Sequence, residues 1–289
     1  MSSYSGKLHK YNERLTAFEF TSNPTDNVII FIGGLGDGYL TVPYVPQLIK
    51  SLPNNWSLFQ VLISSSHQGW GTGSLDRDVD ELKQFVDYLR GLGKKKIVLL
   101  GHSTGTQDSF HYAIKQKSYG IDAIILQAPV SDREAAYKKA KKIGLDLDSY
   151  NKEAQEIFET EGADALLPKR FSNFLFNASS LSAYRWLSLT IPNGDDDYYS
   201  TDLKDERLSQ TFGKLTKPTL ILYSGNDEFY PEGIQFENVL KRWESFTKPG
   251  IWSKYSLIID GATHNIGEGS KEGGVEVLIK QVNSFINEL

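Results

Sequence analysis

A serine between glycines, placed where a buried strand meets a helix, is the feature that most limits how this chain can fold. Residues 101–105 read GHSTG and directly follow the apolar run at residues 97–100. The next residues, 106–117, can continue as a helix. This strand–turn–helix context predicts a sharp turn that exposes Ser103 at the carboxyl edge of a sheet. Glycines flank it because side chains there would collide with the neighbouring strand and helix.

Short apolar runs alternate with amphipathic stretches along most of the chain, which favours a mostly parallel sheet flanked by helices. Continuous apolar runs are typical of strands that are buried on both faces. Such strands are expected at residues 27–32, 58–63, 97–100, 123–126, 219–223 and 257–259. An earlier strand at residues 16–20 is expected to be antiparallel at the sheet edge. Helical spacing predicts one helix that begins after Ser74 and ends near Gly91 or Gly93, and another at the carboxyl terminus.

A serine hydroxyl needs a base that takes its proton before it can act as a nucleophile at neutral pH. His264 is the candidate because it follows the strand predicted at residues 257–259 and comes after Ser103 in the chain, the order that a Ser…Asp…His site requires. The other four histidines are assigned to surface, packing or structural roles: His9, His67, His102 and His111.

The acid that orients the base is expected after the preceding strand, at residues 219–223. Asp227 stands there, in the stretch SGNDEFYP, and its carboxylate can accept a hydrogen bond from His264 Nδ1–H. Glu228 is the alternative, since successive side chains point apart and only one of the two can reach the imidazole. Asp132, after an earlier strand, is a third candidate, and a solvated turn carboxylate is the non-catalytic interpretation of Asp227.

The oxyanion of a tetrahedral intermediate needs N–H donors that are already in place. The backbone N–H of Thr104, next to the nucleophile, is one predicted donor. The other is expected in the glycine-rich loop at residues 33–38, where Leu35 N–H is the candidate and Gly34 lets the backbone approach the substrate.

Composition excludes several classes of function. The chain has 289 residues, with 31 basic and 36 acidic residues that give a net charge of −5. So mild a charge suggests neither a nucleic-acid partner nor an anionic membrane. The absence of cysteine excludes disulfides, thiolate catalysis and thiolate metal sites. No stretch resembles a signal peptide or a membrane span, so a cytoplasmic location is expected. No metal or organic cofactor is expected, and the sequence does not indicate the oligomeric state.

Residues 131–217 interrupt the alternation, because they contain no clear buried strand. They begin with a charged helical stretch at residues 133–142 and then become rich in aromatic side chains. A loop of that length without secondary structure would be unusual, so a helical cap over the active site is predicted. The alternative is a helical excursion that packs only on itself.

Aromatic residues in the cap and in a second glycine-rich loop are candidates for binding substrate. Tyr184 and Trp186 lie in the cap, and Trp70, in the loop at residues 69–73, is expected to form a pocket wall. That loop lacks the lysine of a phosphate-binding loop and the spacing of a dinucleotide fingerprint. The three acids at residues 195–197 lack the pattern of a calcium loop and are predicted to form a solvated turn.

Five longer strings together resemble one fungal α/β-hydrolase family, long described only as a domain of unknown function, which includes intracellular siderophore esterases of the fusarinine type. They are GGLGDG at residues 33–38, GWGTGSLDRD at 69–78, GHSTGTQD at 101–108, QAPVSDREA at 127–135 and SAYRWLSL at 182–189. The resemblance is to proteins of the α/β-hydrolase fold, the fold also expected from the turn at Ser103 and the alternating strands. The interruption of that alternation predicts a core at residues 1–130 and 218–289 and a cap at residues 131–217.

The resemblance also implies a serine esterase that uses Ser103, Asp227 and His264 and cleaves a small-molecule ester. A hydroxamate siderophore ester such as fusarinine C, or its acetylated form, is the substrate hypothesis. A thioesterase, amidase or acyltransferase with the same triad remains an alternative. So does a ligand receptor without catalysis, although a pure binder need not keep all three triad positions.

Overall fold

Eight strands form one sheet in a computed structural model that describes residues 3–21 and 23–289. Their order across the sheet is β1-β2-β4-β3-β5-β6-β7-β8. The strands are β1 (Lys7–Lys10), β2 (Thr16–Glu19), β3 (Asn27–Ile32), β4 (Trp56–Val61), β5 (Lys96–His102), β6 (Ala123–Gln127), β7 (Thr219–Ser224) and β8 (Leu257–Ile259). The pairs β1–β2 and β2–β4 are antiparallel, and all other pairs are parallel. The mostly parallel sheet predicted from the apolar runs is therefore present.

The antiparallel edge of the sheet differs from the prediction. β2 lies where an early strand was expected, but it pairs on both sides and is not the edge strand. The edge is β1, whose sequence KLHK has no apolar alternation because most of its side chains are exposed. A strand that buries no face leaves no hydrophobic pattern for sequence analysis to detect.

Ten α-helices and two short 3₁₀ turns connect these strands in the described part of the chain. The helices are α1 (Val45–Ser51), α2 (Leu75–Gly91), α3 (Thr104–Lys115), α4 (Asp132–Ile143), α5 (Leu147–Glu161), α6 (Lys169–Phe174), α7 (Ala183–Thr190), α8 (Asp205–Gln210), α9 (Phe236–Phe246) and α10 (Gly274–Ile286). Ser74 caps α2 as predicted, since its side chain accepts a hydrogen bond from Arg77 N–H. Within residues 3–21 and 23–289, no helix has both the length and the apolar character needed to cross a bilayer.

The core consists of two apolar clusters, one on each face of the sheet. Because side chains alternate along a strand, Val28, Ile30 and Ile32 of β3 enter one cluster, and Ile29 and Phe31 enter the other. Helices α2 and α3 cover the first face, while α1 and α10 cover the second. This double burial explains why the central strands are continuous apolar runs.

The segment between β6 and β7 is helical, but its packing divides it into two parts. Helices α4 to α7 share a third apolar cluster, which also includes Trp70. Residues after α7 behave differently, because Tyr198, Tyr199 and Phe212 are buried in the main cluster beside α3. Helices α4 to α7, called the cap below, therefore pack as a group of their own, and the residues from α8 to 217 pack with the main cluster.

Candidate active site

Ser103 occupies a strained turn between β5 and α3. Its backbone has φ 53° and ψ −126°, in a region that residues with a side chain rarely adopt. A Cβ on Gly101 would lie 2.0 Å from the carbonyl oxygen of Gly105, and a Cβ on Gly105 would lie 2.2 Å from that of Ile32. Both flanking glycines are therefore required for the turn to close.

Three side chains from distant parts of the sequence form one hydrogen-bonded chain. His264 Nε2 lies 2.7 Å from Ser103 Oγ, and His264 Nδ1 lies 2.7 Å from Asp227 Oδ2. In the arrangement that catalysis needs, the Ser103 hydroxyl donates to Nε2 and Nδ1–H donates to the carboxylate. Asp227 and His264 are 7% and 6% exposed, so the imidazolium that forms would be paired away from bulk water.

The two alternative acids do not contact the imidazole. Glu228 Oε2 instead accepts a hydrogen bond from the backbone N–H of His264 at 2.9 Å. Asp132 Oδ2 accepts one from Gln107 Nε2 at 2.6 Å, and Asp132 lines the cavity above Ser103. Burial raises the pKa of Asp132 to about 7, with a further contribution from the charge of Asp196.

His102, next to the nucleophile, is a second buried imidazole in the site. Its ring centroid lies 5.0 Å from that of His264, and its Nδ1 lies 2.5 Å from Gln127 Oε1. Burial, together with a smaller effect of the neighbouring His264, lowers the pKa of His102 to about 4. A neutral His102 leaves His264 as the base that faces Ser103. Gln127 supports this base as well, because its Nε2 donates to the carbonyl oxygen of His264 at 3.2 Å.

The glycine-rich loop after β3 lies against the nucleophile. A Cβ on Gly34 would be 2.6 Å from Ser103 Cβ and 3.0 Å from its Oγ. Asp37 holds the loop, since its Oδ2 accepts from Gly34 N–H at 2.8 Å. The N–H groups of Leu35 and Thr104, the predicted oxyanion donors, have no protein acceptor within the described ranges. Thr104 is the first residue of α3, where a helix leaves its N–H groups free.

A cavity of about 560 Å³ opens above Ser103 and His264. Such a volume lies in the usual range for binding sites of small molecules. Its walls come from α4, from α6 and the residues after it, and from the loop that carries Asp227. They combine three phenylalanines with three lysines: Phe174, Phe176, Phe229, Lys138, Lys139 and Lys142.

Lys138 of α4 ties the cap to the loop that carries the acid. Its Nζ donates to the carbonyl oxygen of Glu228 at 2.8 Å and to that of Tyr230 at 2.7 Å. Lys139 donates to the carbonyl oxygen of Phe174 at 2.5 Å and lies over the ring of that residue. Sequence analysis missed these lysines as pocket residues, although their positions on one predicted helix next to a candidate acid were a usable signal.

The structure corrects three predicted substrate contacts. Trp186 is fully buried in the apolar cluster of the cap, where its Nε1–H donates to Asn151 Oδ1 at 2.8 Å. Tyr184 donates to Asp195 and does not line the large cavity. Trp70 is 1% exposed and lines a separate, small cavity behind the oxyanion loop. Aromatic composition identified the region but not which rings fill the cap's own core.

The acidic turn at residues 195–197 is also different from the prediction, because only its first member is exposed. Asp196 Oδ2 lies 2.6 Å from Nη1 of Arg185, and both residues are almost completely buried. Asp197 accepts from Nε of Arg133 at 3.1 Å. The predicted solvated turn is therefore wrong for two of the three acids, which serve as counterions of buried arginines.

Comparison with known proteins relates the whole chain to one family. A family model described as a protein of unknown function, DUF1749, matches residues 1–287. The fusarinine C esterase of Aspergillus fumigatus is 33% identical over an alignment 342 residues long. The match covers 98% of this chain and 96% of that protein. The solved siderophore hydrolase EstB from Aspergillus fumigatus is also 33% identical, with a TM-score of 0.86 and coverage of 99% of this chain and 98% of EstB.

A more distant structure bears on the fold alone. A protein described as an α/β-hydrolase fold protein of unknown function is 15% identical, with a TM-score of 0.70, and the match covers 100% of this chain and 97% of the other. The predicted fold class is confirmed. The chain belongs to the DUF1749 family, has the α/β-hydrolase fold and is a homologue of the fusarinine C esterase of Aspergillus fumigatus.

Proposed function

We propose that this protein is a serine hydrolase that cleaves carboxylic esters through an acyl-enzyme intermediate. The observation that carries the proposal is the continuous chain from Ser103 through His264 to Asp227, with both hydrogen-bonded distances at 2.7 Å. Its homologues named fusarinine C esterase and siderophore hydrolase support the same class of reaction.

In the first step, Ser103 Oγ attacks the ester carbonyl carbon while His264 Nε2 takes the hydroxyl proton. The carbonyl oxygen becomes an oxyanion, which the N–H groups of Leu35 and Thr104 stabilise. The intermediate collapses when the C–O bond to the alcohol breaks and His264 returns its proton to the leaving oxygen. Ser103 then carries the acyl group as an ester.

In the second step, His264 removes a proton from a water molecule that attacks the acyl carbon. Collapse of the second tetrahedral intermediate releases the carboxylic acid and restores the Ser103 hydroxyl. Throughout, Asp227 keeps the imidazole in the tautomer that presents Nε2 to the serine. The neutral state of His102 prevents a second positive charge next to the imidazolium.

The substrate we propose is a bulky ester rich in oxygen acceptors, of the hydroxamate siderophore kind. The cavity of about 560 Å³ can hold a drug-sized molecule. Its three lysines can donate to carbonyl and hydroxamate oxygens, and its phenylalanines can cover the apolar linkers between them. Fusarinine C, which the homologue's name gives as its substrate, has this chemistry and is the first compound to test.

A fluorophosphonate probe tests the proposed chemistry directly, because it reacts selectively with activated serines. Wild-type protein is expected to become labelled within minutes, and Ser103→Ala is expected to remain unlabelled. Ser109→Ala is a matched control, since Ser109 lies on α3 but donates to the carbonyl oxygen of Gly105 instead of facing His264. If the wild type is not labelled, a receptor without catalysis is the better interpretation.

Substrate choice requires turnover of an ester panel, from p-nitrophenyl acyl esters and a thioester to fusarinine C and its acetylated form. Faster turnover of the hydroxamate esters, measured as kcat/KM, supports the proposal. Cleavage of short model esters with the siderophores untouched rules out the siderophore substrate but leaves the serine chemistry in place. The cytoplasmic location remains a prediction, which fractionation of cells that express the tagged protein tests.

A further inference from the structure

A small cavity of about 20 Å³ lies directly behind the two predicted oxyanion donors. Its lining includes Leu35 and Thr104 together with Asp78, Asp108 and Arg185. A cavity needs roughly 10–15 Å³ to hold one water molecule and must offer it two to four polar partners. This one has the volume for a single water and lies between the oxyanion hole and a group of buried charges.

Four residues that line the cavity each have a buried polar atom without a hydrogen-bond partner. The atoms are Thr104 Oγ1, Asp78 Oδ1, Asp108 Oδ1 and Arg185 Nε. Asp108 is the one ionisable group among them whose side chain makes no hydrogen bond and no ion pair to any residue in the described ranges, since Asp78 and Arg185 each have another partner. Asp108 is nevertheless only 4% exposed. A buried carboxyl group in that state would be costly if it were ionised.

The charged groups that act most strongly on Asp108 do not balance its charge. The acids that face Asp108 are Asp78 on α2 and Asp196 after α7, and the cations are Arg185 on α7 and Arg77 on α2. Arg185 is paired with Asp196 at 2.6 Å, and Arg77 lies 3.5 Å from Asp78. Three carboxyl groups thus face two guanidinium groups, and one proton restores neutrality.

Asp108 is the group that takes this proton, because the other two acids have a cation in contact. Burial raises the pKa of Asp108 well above its usual range, and the charge of Asp78 raises it further. A neutral carboxylic acid also has a hydroxyl group that can donate a hydrogen bond, which a carboxylate lacks.

We propose that Asp108 is a protonated carboxylic acid which, through one bound water shared with Thr104, Asp78 and Arg185, positions the N–H donors of the oxyanion hole. This inference rests on the proposed esterase function. In this proposal Asp108 does not touch the substrate. It is a positioning residue, which lies one turn of α3 beyond Thr104.

The hydrogen bonds of this cluster balance around the water. The water accepts from Arg185 Nε–H and from the Asp108 hydroxyl, and it donates to Asp78 and to Thr104 Oγ1, which gives each of the four atoms a partner. The start of α3, and with it Thr104 N–H, is then fixed from behind. The arrangement costs no reorganisation when the oxyanion forms, which is the condition for strong stabilisation.

Two substitutions of Asp108 separate the role of its hydrogen bond from the role of its charge. Asp108→Asn keeps a neutral group that can donate and accept, so kcat is expected to stay within about twofold of the wild type. Asp108→Leu has a similar size but no polar atom, and kcat is expected to fall about tenfold or more with KM unchanged. Loss of a complete oxyanion donor, about 100- to 1,000-fold, is the upper bound.

Two further measurements exclude a merely structural effect. Asp108→Leu should weaken binding of a boronic acid, which mimics the tetrahedral intermediate, by the same factor as kcat, and leave binding of the product acid unchanged. At about pH 8.5, above the raised pKa values of Asp78 and Asp132, the infrared band of a protonated carboxyl group should be present in the wild type and absent in Asp108→Asn. This band does not depend on activity, so it remains informative if the proposed esterase function fails.

The inference is overturned if folded Asp108→Leu retains wild-type kcat, or if Asp108→Asn loses as much activity as Asp108→Leu. The first result would remove the positioning role, and the second would mean that an ionised carboxylate is needed. Absence of the infrared band would exclude the protonated state. Should Asp108→Leu fail to fold, the Asn variant and the band still decide.

Discussion

His264 is held at three points by three different residues. Asp227 accepts from its Nδ1, Glu228 accepts from its backbone N–H, and Gln127 donates to its carbonyl oxygen. The adjacent acids Asp227 and Glu228 therefore have separate tasks, one on the imidazole and one on the backbone. Sequence analysis placed them as competitors for one role, because it has no means of seeing the backbone N–H that the second acid reaches.

Replacing Asp227 with asparagine tests this division of tasks. Asp227→Asn preserves the shape of the side chain but allows the imidazole to adopt the wrong tautomer and removes the charge that pairs with the imidazolium. We expect kcat to fall by roughly 10⁴-fold, with a much smaller change in KM. Steady-state kinetics with a p-nitrophenyl ester measure both values.

Glu228→Gln is the matched control, since the amide oxygen can still accept from the backbone N–H of His264. It should reduce kcat by less than about tenfold, because only a charge-assisted hydrogen bond is weakened. If the two substitutions had equal effects, the assignment of Asp227 as the orienting acid would be wrong.

Gly34 fits against the nucleophile with no room for a side chain. The Cβ of an alanine there would be 2.6 Å from Ser103 Cβ, closer than non-bonded carbons approach. Gly34→Ala should therefore displace Ser103 or the oxyanion loop, and we expect kcat/KM to drop by about 100-fold, the effect of a reactive group misplaced by about 1 Å. Fluorophosphonate labelling should slow in proportion.

Gly91→Ala serves as the control for Gly34→Ala, because a Cβ at Gly91 would meet no atom within 4 Å. It lies at the end of α2, before the amino end of β5, whereas Ser103 follows the carboxyl end of that strand, so the rate of labelling should stay unchanged. If Gly34→Ala were labelled at the wild-type rate, the loop would be able to move aside without disturbing Ser103. That result would contradict the tight fit.

At the level of elements, the central strands were predictable and the cap was predictable only in outline. β3 matches its expected range because both of its faces are buried and its pattern is continuous. β1 was missed because it buries neither face. The aromatic side chains between positions 131 and 217 indicated a buried helical region. They did not indicate that Tyr198 packs in the main cluster and Trp186 in the cluster of the cap. That choice depends on tertiary packing, which no local pattern of one sequence encodes.

Trp186 tests whether the cap has a core of its own. Its ring packs among Tyr150, Phe171 and Phe174 and lies outside the large cavity. Trp186→Ala should cost about 3–5 kcal/mol of local stability, as large aromatic deletions in cores do. Hydrogen exchange should show faster exchange of amides in α5 and α7, while β5 and β6 stay protected.

Tyr184→Phe is the control on the same helix, since it removes only a hydrogen bond to exposed Asp195. Its effect on exchange should be small, and it should leave KM unchanged because Tyr184 does not line the cavity. If the amides of β5 and β6 exchanged as fast as those of α5 and α7 in Trp186→Ala, the cap and the core would unfold as one unit.

At the scale of the whole molecule, buried acids make stability depend on pH in an unusual direction. Burial raises the pKa of Asp132 to about 7 and that of Asp78 to about 6, from an ordinary value of 3.8. The native state therefore keeps protons that the unfolded chain has already lost. Because the native state binds more protons, the free energy of unfolding falls as pH rises toward these raised values.

His102 acts in the opposite direction, but only at lower pH. Its pKa is lowered to about 4 from an ordinary value of 6.5, so its contribution to stability rises with pH between these values and is then complete. From about pH 6.5 to about pH 8 the raised acids dominate. Asp78 and Asp132 together account for a fall of about 1 kcal/mol, and a protonated Asp108 adds to it, so we expect stability to fall by about 1 kcal/mol or more. Urea unfolding at the two pH values measures it.

Asp132→Asn should flatten this decline, because the amide has no proton to lose. Asp195→Asn is a control, since that carboxyl is on the exposed side of its turn. A decline that persists unchanged in Asp132→Asn would assign it to other groups, and rising stability over this range would contradict the raised pKa values.

The two hydrogen bonds from Lys138 to the carbonyl oxygens of Glu228 and Tyr230 have a mechanical consequence. A hinge motion that lifted α4 away from the sheet would pull on the backbone immediately after Asp227. Opening of the cap is thereby coupled to the position of the Asp227 carboxylate. A wide opening would move this carboxylate out of line with His264, so the catalytic arrangement requires that α4 stay close to the loop. Phe176 lines the cavity and is 49% exposed, so it can change position without breaking either bond.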